Sequence, residues 1–326
     1  MTKDAKFSTD VSYGEQYDPM RAPRYAEIPT FMRAPLDLEL RNVEIALCGV
    51  PYDGGVSNRP GARHGPREIR NQTSLMRKIH HVFRFDPFDM ARIADVGDVR
   101  FANALVPDKA EQEIQTFFER IHEAGAVPLT AGGDHSITFP IFRAIAKNAP
   151  IGMVHIDAHT DTWGEIQGSK FNHGSPFRRA VEEGLLDPKR TIQIGIRGPQ
   201  NGEDAWNFSV DHGMRVVYIE EFEDLGVERV IEEARRIAGD GLTYISFDVD
   251  GLDPVYAPGT GTPEAGGITM REAQRLLRGL RGLDLVGGDV VEVSPPFDPS
   301  GNTALVGATL MYEILCLLAD ANARRK

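Results

Sequence analysis

Short stretches that are apolar almost from end to end recur along this chain, and amphipathic segments of helical length separate them. Residues 43–50, 126–130, 151–157, 191–196, 215–219, 242–248 and 285–293 are rich in Val, Ile and Leu and read as strands. Helical spacing appears near Arg67 and over 111–124, 139–146, 177–183 (with Gly184 just past its end), 227–238, 269–280 and 305–321. Thr269 and Glu272 have the spacing of a capping box. A strand with one solvated face alternates polar and apolar residues. Strands without that alternation must be covered on both faces. The pattern therefore predicts an α/β fold of three layers, α/β/α, around a mainly parallel sheet. Ligands of such sheets bind beyond the carboxyl ends of the strands.

Three polar clusters stand at those ends: Gly132-Gly133-Asp134-His135-Ser136, Asp157-Ala158-His159-Thr160-Asp161, and Ser246-Phe247-Asp248-Val249-Asp250. In extended chain, side chains two apart share one side. Asp157, His159 and Asp161 can therefore converge on one point, as can Asp248 and Asp250. His135 arrives on a glycine-led turn. A buried group of aspartates repels itself unless protons or cations are shared. Together the clusters offer a ligand set for two divalent cations, which can make water nucleophilic at neutral pH. Carboxylates with some imidazole suit Mn²⁺ first, and Ni, Co, Fe or Zn remain chemically possible.

Composition narrows the partners. The 36 basic and 48 acidic residues leave a formal charge of −12, which argues against nucleic acid and against an anionic membrane surface. Cys48 and Cys316 lie in apolar runs and read as buried thiols. The N-terminus has no apolar core of a secretory signal, and no run reads as long and apolar enough to span a bilayer. A soluble cytoplasmic protein is expected. Residues 1–40 hold scattered prolines and little periodicity. They read as an N-terminal arm, with 28–32 able to pack on a neighbouring subunit, and 41–326 as one catalytic domain.

With these motifs, the chain resembles the ureohydrolase family of arginases, agmatinases, guanidinobutyrases and guanidinopropionases. Further matching segments are Pro60-Gly-Ala-Arg-His-Gly-Pro66, His173-Gly174, Pro258-Gly-Thr-Gly-Thr-Pro263 and Val291-Glu-Val-Ser-Pro-Pro-Phe-Asp298. The resemblance runs from about residue 40 onward and looks closest to the agmatinase-like branch, near guanidinopropionase and guanidinobutyrase. It implies the arginase-like fold and a homo-trimer or homo-hexamer. It also implies hydrolysis of a small guanidino compound (3-guanidinopropionate, 4-guanidinobutyrate or agmatine) to urea and an amine. One metal would take His135, Asp157, Asp161 and Asp248; the other would take Asp157, His159, Asp248 and Asp250. The shared carboxylates would keep the ions roughly 3.5–4 Å apart. Asp161 would pass a proton to the leaving amine, Glu292 would grip the guanidinium, and His173 would shuttle protons.

Other residues have plainer expectations. His155 reads as a buried, hydrogen-bonded histidine. Arg63 and His64 either shape the pocket rim or fix their loop. The 258–267 segment lacks the Lys-Ser/Thr of a phosphate loop and reads as a turn supporting the site. The loop 162–172 is the expected reader of the substrate's far end, but it offers both Glu165 and Lys170. Arginase-type chains often carry an asparagine where this chain has Trp163, which argues against α-amino-acid recognition. Trp163 would shorten the pocket or stack on a planar cation, so small guanidines and alkylguanidines stay open as substrates. Two other classes compete: a single-zinc amide hydrolase, which needs fewer acidic ligands, and a catalytically silent partner subunit, which should have lost a ligand.

Overall fold

The computed structural model describes residues 23–326; residues 1–22 of the expected arm lie outside the described residues. The strands are β1 (Ile45–Gly49), β2 (Ile93–Asp98), β3 (Val127–Ala131), β4 (Ile151–Ile156), β5 (Leu186–Ile196), β6 (Arg215–Tyr218), β7 (Thr243–Asp248) and β8 (Leu285–Val291). They form one eight-stranded sheet in the order β2-β1-β3-β8-β7-β4-β5-β6, and every pairing is parallel.

The helices are α1 (Gly65–Thr73), α2 (Pro87–Met90), α3 (Pro107–Glu123), α4 (Thr138–Ile145), α5 (Pro176–Glu182), α6 (Asp204–Asp211), α7 (Ile219–Ala238), α8 (Met270–Gly279) and α9 (Asn302–Arg325). One apolar cluster joins a sheet face to α1, α7, α8 and α9; a second joins the opposite face to α3, α4 and α5. The three-layer expectation holds, and the unbroken apolar strands have their cause in this double cover. The capping box is present: Thr269 Oγ1 accepts from the Glu272 N–H, and the Glu272 carboxylate accepts from the Thr269 N–H.

Several expectations need correction. Sequence periodicity missed β2, because Asp95 interrupts its apolar run; Asp95 accepts from Arg70 and from the Phe31 N–H. It also missed α6. β5 begins five residues earlier than expected, behind the polar stretch 187–190. α7 extends further toward its N-terminus and is kinked at Gly226, whose φ is +74°. A bilayer-length apolar segment does exist: α9 is long and apolar enough to cross a membrane, but 83% of that stretch is buried, because it packs along the sheet between α1 and α8. Phe31 and Met32, expected to face a neighbour, are buried in their own chain, with the Arg70 guanidinium over the Phe31 ring. Tyr25 and Ile28 remain exposed at 93% and 79%. Cys48 and Cys316 are buried free thiols, as expected.

Candidate metal centre

Four adjacent central strands, β3, β8, β7 and β4, deliver the site from their carboxyl ends. β3 leads into Gly132-Gly133, where the chain passes close under the 50–52 segment. A Cβ on Gly133 would fall 1.8 Å from the Tyr52 carbonyl oxygen, so only glycine fits. The next residue, Asp134, caps the following turn by accepting from the Ser136 N–H and holds the Gly55 N–H at 2.7 Å. His135 then projects beneath the sheet end. β4 supplies Asp157, His159 and Asp161; β7 ends in Asp248, with Asp250 two residues on; β8 leads into Glu292.

The six expected metal ligands meet. His135 Nδ1 lies 2.9 Å from Asp161 Oδ2, 3.2 Å from Asp157 Oδ2 and 3.2 Å from Asp248 Oδ2. His159 Nδ1 lies 3.2 Å from Asp250 Oδ2 and 3.5 Å from Asp157 Oδ1. The two oxygens of Asp157 thus face opposite histidines. The His135 side chain is fully buried, whereas that of His159 is 20% exposed.

The far side of His135 fixes which nitrogen carries hydrogen. Its Nε2 sits 2.8 Å from Ser246 Oγ, and that hydroxyl donates to Asp289 Oδ1 at 2.7 Å. Ser246 can therefore only accept from His135, and Nε2 is the protonated nitrogen. Asp289 is buried and held further by Thr138 Oγ1 and the Tyr244 hydroxyl. Nδ1 is left facing the three carboxylates alone, the one nitrogen of the ring that can turn a lone pair toward a cation once it gives up its proton. This is the donor arrangement of a cation site with an oriented outer shell. Sequence reasoning missed Asp289; an acid inside the apolar run of β8 was the available signal.

Electrostatics point the same way. Without cations, the cluster must draw protons. Burial, with Asp250 and Asp157 beside it, raises the Asp248 pKa well above the carboxylate range. Burial and Asp157 raise Asp250 to about 6. Burial alone would lower His135 and His159, but the facing aspartates push both well above the usual imidazole value. Burial would raise Asp157, yet His155, His135 and His159 hold it well below. A site that takes up protons when empty suits divalent cations.

Glu292 and His173 join this cluster. Glu292 Oε1 accepts from the His135 N–H at 3.0 Å and pairs with His173 Nδ1 at 3.1 Å. Its Oε2 is buried and without a partner. The backbone at Glu292 and at Asp161 has φ of +64° and +51°, left-handed conformations rare for such residues and characteristic of functional sites. His173 Nε2 accepts from the Ser57 N–H at 3.2 Å and lies 2.7 Å from Ser57 Oγ. Burial alone would lower the His173 pKa, but the carboxylates of Glu292, Asp161 and Asp134 raise it to about 9 in the cation-free site. The Ser57 N–H aimed at Nε2 is instead the geometry of a neutral ring. Positive charge in the aspartate cluster would favour that neutral form.

The remaining expectations sort cleanly. His155 is buried, donates from Nε2 to Asp157 Oδ2 at 2.8 Å and accepts from Gln193 Nε2 at Nδ1, so it is a structural histidine. Arg63 pairs with buried Asp53 and fixes its loop, while His64 is exposed. The segment 258–267 does wall the site. Thr262 Oγ1 lies 3.3 Å from Asp250 Oδ2, Glu264 Oε1 lies 3.7 Å from His159 Nε2, and Arg197 holds the Glu264 carbonyl. Trp163 is half-buried beside Gly174, whose carbonyl accepts its N–H, and Glu165 and Lys170 are exposed.

Comparison with known proteins agrees with this geometry. Residues 43–317 match the arginase family model. The chain is 57% identical to the guanidinopropionase of Pseudomonas aeruginosa over 94% of its own length and 96% of that protein. It is 48% identical to the mitochondrial agmatinase of Gallus gallus, over 89% and 85%. The structure of proclavaminate amidino hydrolase from Streptomyces clavuligerus superposes with a TM-score of 0.89 at 40% identity, covering 92% of this chain and 100% of that one. The chain belongs to the arginase family. It is an agmatinase-like ureohydrolase, a hydrolase of the C–N bond in linear amidines whose substrate is a small guanidino compound.

Proposed function

We propose that this enzyme hydrolyses a guanidino acid, 3-guanidinopropionate or 4-guanidinobutyrate, to urea and the corresponding amino acid on a centre of two divalent cations. The observation that carries the reading is His135 Nδ1 set among three carboxylate oxygens, with the unpartnered Glu292 Oε2 buried beside the same cluster. Relatives of both guanidino-acid and agmatine type are similar to this chain, and the more similar one named above is a guanidinopropionase.

One cation would take His135, Asp157, Asp161 and Asp248, and the other Asp157, His159, Asp248 and Asp250. When bound, Mn²⁺ or a similar ion supplies a water polarised for attack on carbon. The protein does the rest. Glu292 Oε2 would accept from the substrate guanidinium and turn its carbon toward the aspartates. Asp161 would hand a proton to the departing nitrogen as the C–N bond breaks and urea forms. His173, between Glu292 and exposed Ser57, would carry protons between the pocket and water. Trp163 would border the mouth. Exposed Tyr25 and Ile28 would cover a neighbouring subunit in a trimer or hexamer, which light scattering would reveal.

The test is urea release after loading with Mn²⁺ or Ni²⁺, measured against 3-guanidinopropionate, 4-guanidinobutyrate, agmatine, arginine and small guanidines. A guanidino acid should give the highest kcat/KM. No urea from any of them, with about two metals bound per chain, would overturn the assignment.

A further inference from the structure

The two cations of the proposed centre would lean on different neighbours. His135, a ligand of the deep cation alone, is held from behind by Ser246 and Asp289. His159 and Asp250, ligands of the outer cation alone, follow different strands, β4 and β7. Arg197, the residue after β5, joins these two segments. Its side chain spends both Nη groups on backbone carbonyls. Nη2 donates to the carbonyls of Asp250 at 2.7 Å, Leu252 at 3.1 Å and Glu264 at 2.7 Å. Nη1 donates to those of Gly251 at 3.2 Å and Gly195 at 3.1 Å. One guanidinium thus gathers the turn that carries Asp250, the wall segment 258–267 and the end of β5. A planar, charged fork can hold several acceptors in one fixed geometry, which a flexible ammonium cannot.

The backbone at the same place reaches the other ligand segment. The N–H groups of Arg197 and Gly198 both donate to the Ala158 carbonyl at 2.9 Å. The Ala158 N–H in turn donates to Asp250 Oδ1 at 3.2 Å. Ala158 stands between Asp157 and His159. Gly198 lies against the His159 ring: a Cβ there would fall 2.6 Å from Nε2, so a larger residue would have to move the imidazole. Among the described residues, no hydrogen bond from the Arg197 side chain reaches His135 or Asp161, the two ligands that belong to the deep cation alone.

We infer that Arg197 is a positioning residue for the outer cation: it locks the Asp250 turn against the 157–159 segment and so fixes the spacing of Asp250 and His159. The inference rests on the two-cation reading above. It assigns to Arg197, on the outer side, the work that Ser246 and Asp289 do on the deep side.

The experiment loads the full chain with Mn²⁺ and compares wild type with Arg197→Met, Arg197→Lys and His159→Asn, the last lacking a ligand of the outer cation only. Competitive chelator titration should show one of two affinities lowered about ten- to a hundredfold in Arg197→Met, with the other unchanged. Elemental analysis after gel filtration should fall from about two metals per chain to about one, and the electron paramagnetic resonance signal of a coupled Mn²⁺ pair should give way to that of single ions. His159→Asn should lose the same ion, and adding Arg197→Met to it should not weaken the ion that remains. Arg197→Lys, with three donors on one nitrogen, should lose that ion by a smaller factor, and it supplies the measurement if Arg197→Met does not fold by far-UV circular dichroism. Equal weakening of both ions would mark a general brace and overturn the inference, as would two ions held with wild-type affinity. A wild type that never binds a second ion overturns the two-cation reading itself, and the Arg197 assignment with it.

Discussion

His173 Nδ1 lies 3.1 Å from Glu292 Oε1, so the proposed proton carrier and the proposed substrate anchor are one hydrogen-bonded unit. Glu292 spends one oxygen on His173 and on the His135 N–H and keeps the other free. Substrate can enter without breaking that unit.

Replacing the anchor should separate binding from metal loading. Glu292→Gln keeps the bulk of the side chain and removes its charge. Metal content by elemental analysis should stay unchanged, while kcat/KM falls about ten- to a hundredfold, the size of a charged hydrogen bond. Wild-type kinetics in this variant would remove the role assigned to Glu292.

Asp248→Ala should abolish urea release and lower the bound metal per chain. Far-UV circular dichroism should be retained, because without cations Asp248 is a buried carboxylate already repelled by Asp250 and Asp157. Full activity would overturn the ligand assignment.

The pH dependence follows from the directions of the shifts. Asp248 and Asp250 are raised in the folded, cation-free protein, so it binds more protons than the unfolded chain, and these groups cost stability as pH rises above the ordinary carboxylate range, for Asp250 through about 6. His135, His159 and His173 are also raised; their contribution is present below the ordinary imidazole value and is lost as pH climbs, for His173 through about 9. Cations reverse this balance by replacing the protons. The gain in Tm on adding Mn²⁺ should therefore grow from pH 5 to pH 8, and titration in weak buffer should release protons. A Tm gain independent of pH would count against the cluster as the binding site.

Ser57→Ala removes the hydroxyl beside His173 Nε2 and leaves the backbone N–H. We expect kcat to fall about tenfold with KM nearly unchanged, and Ser57→Thr to restore it, since one lost hydrogen bond and proton relay acts on turnover. A change in KM alone would mark Ser57 as a binding residue.

Asp289→Asn tests the support behind His135. It swaps an acceptor for an amide that can no longer take both the Ser246 and Tyr244 protons. Affinity for the more buried cation should drop about ten- to a hundredfold, as for other outer-shell partners. Competitive chelator titration reads this directly, and unaltered affinity would reduce Asp289 to a packing role.

The sequence carried the central strands well, because burial on both faces leaves an unbroken apolar run, as in β4 and β7. It carried the ligand set because Asp157, His159 and Asp161 alternate on extended chain. Partners joined across the fold were not legible. Ser57 and His173, or His173 and Glu292, meet only when separate loops cover one pocket. β2 escaped because Asp95 interrupts its apolar run, and that acid is kept inside by Arg70 and the Phe31 N–H.

His159 shows a fifth of its side chain to solvent, and His135 none. One door of the centre is ajar and the other shut. Ions would then load in a fixed order, deep position first, and depart in reverse, so brief chelation followed by a different metal should yield a hybrid enzyme with two unlike ions in known places.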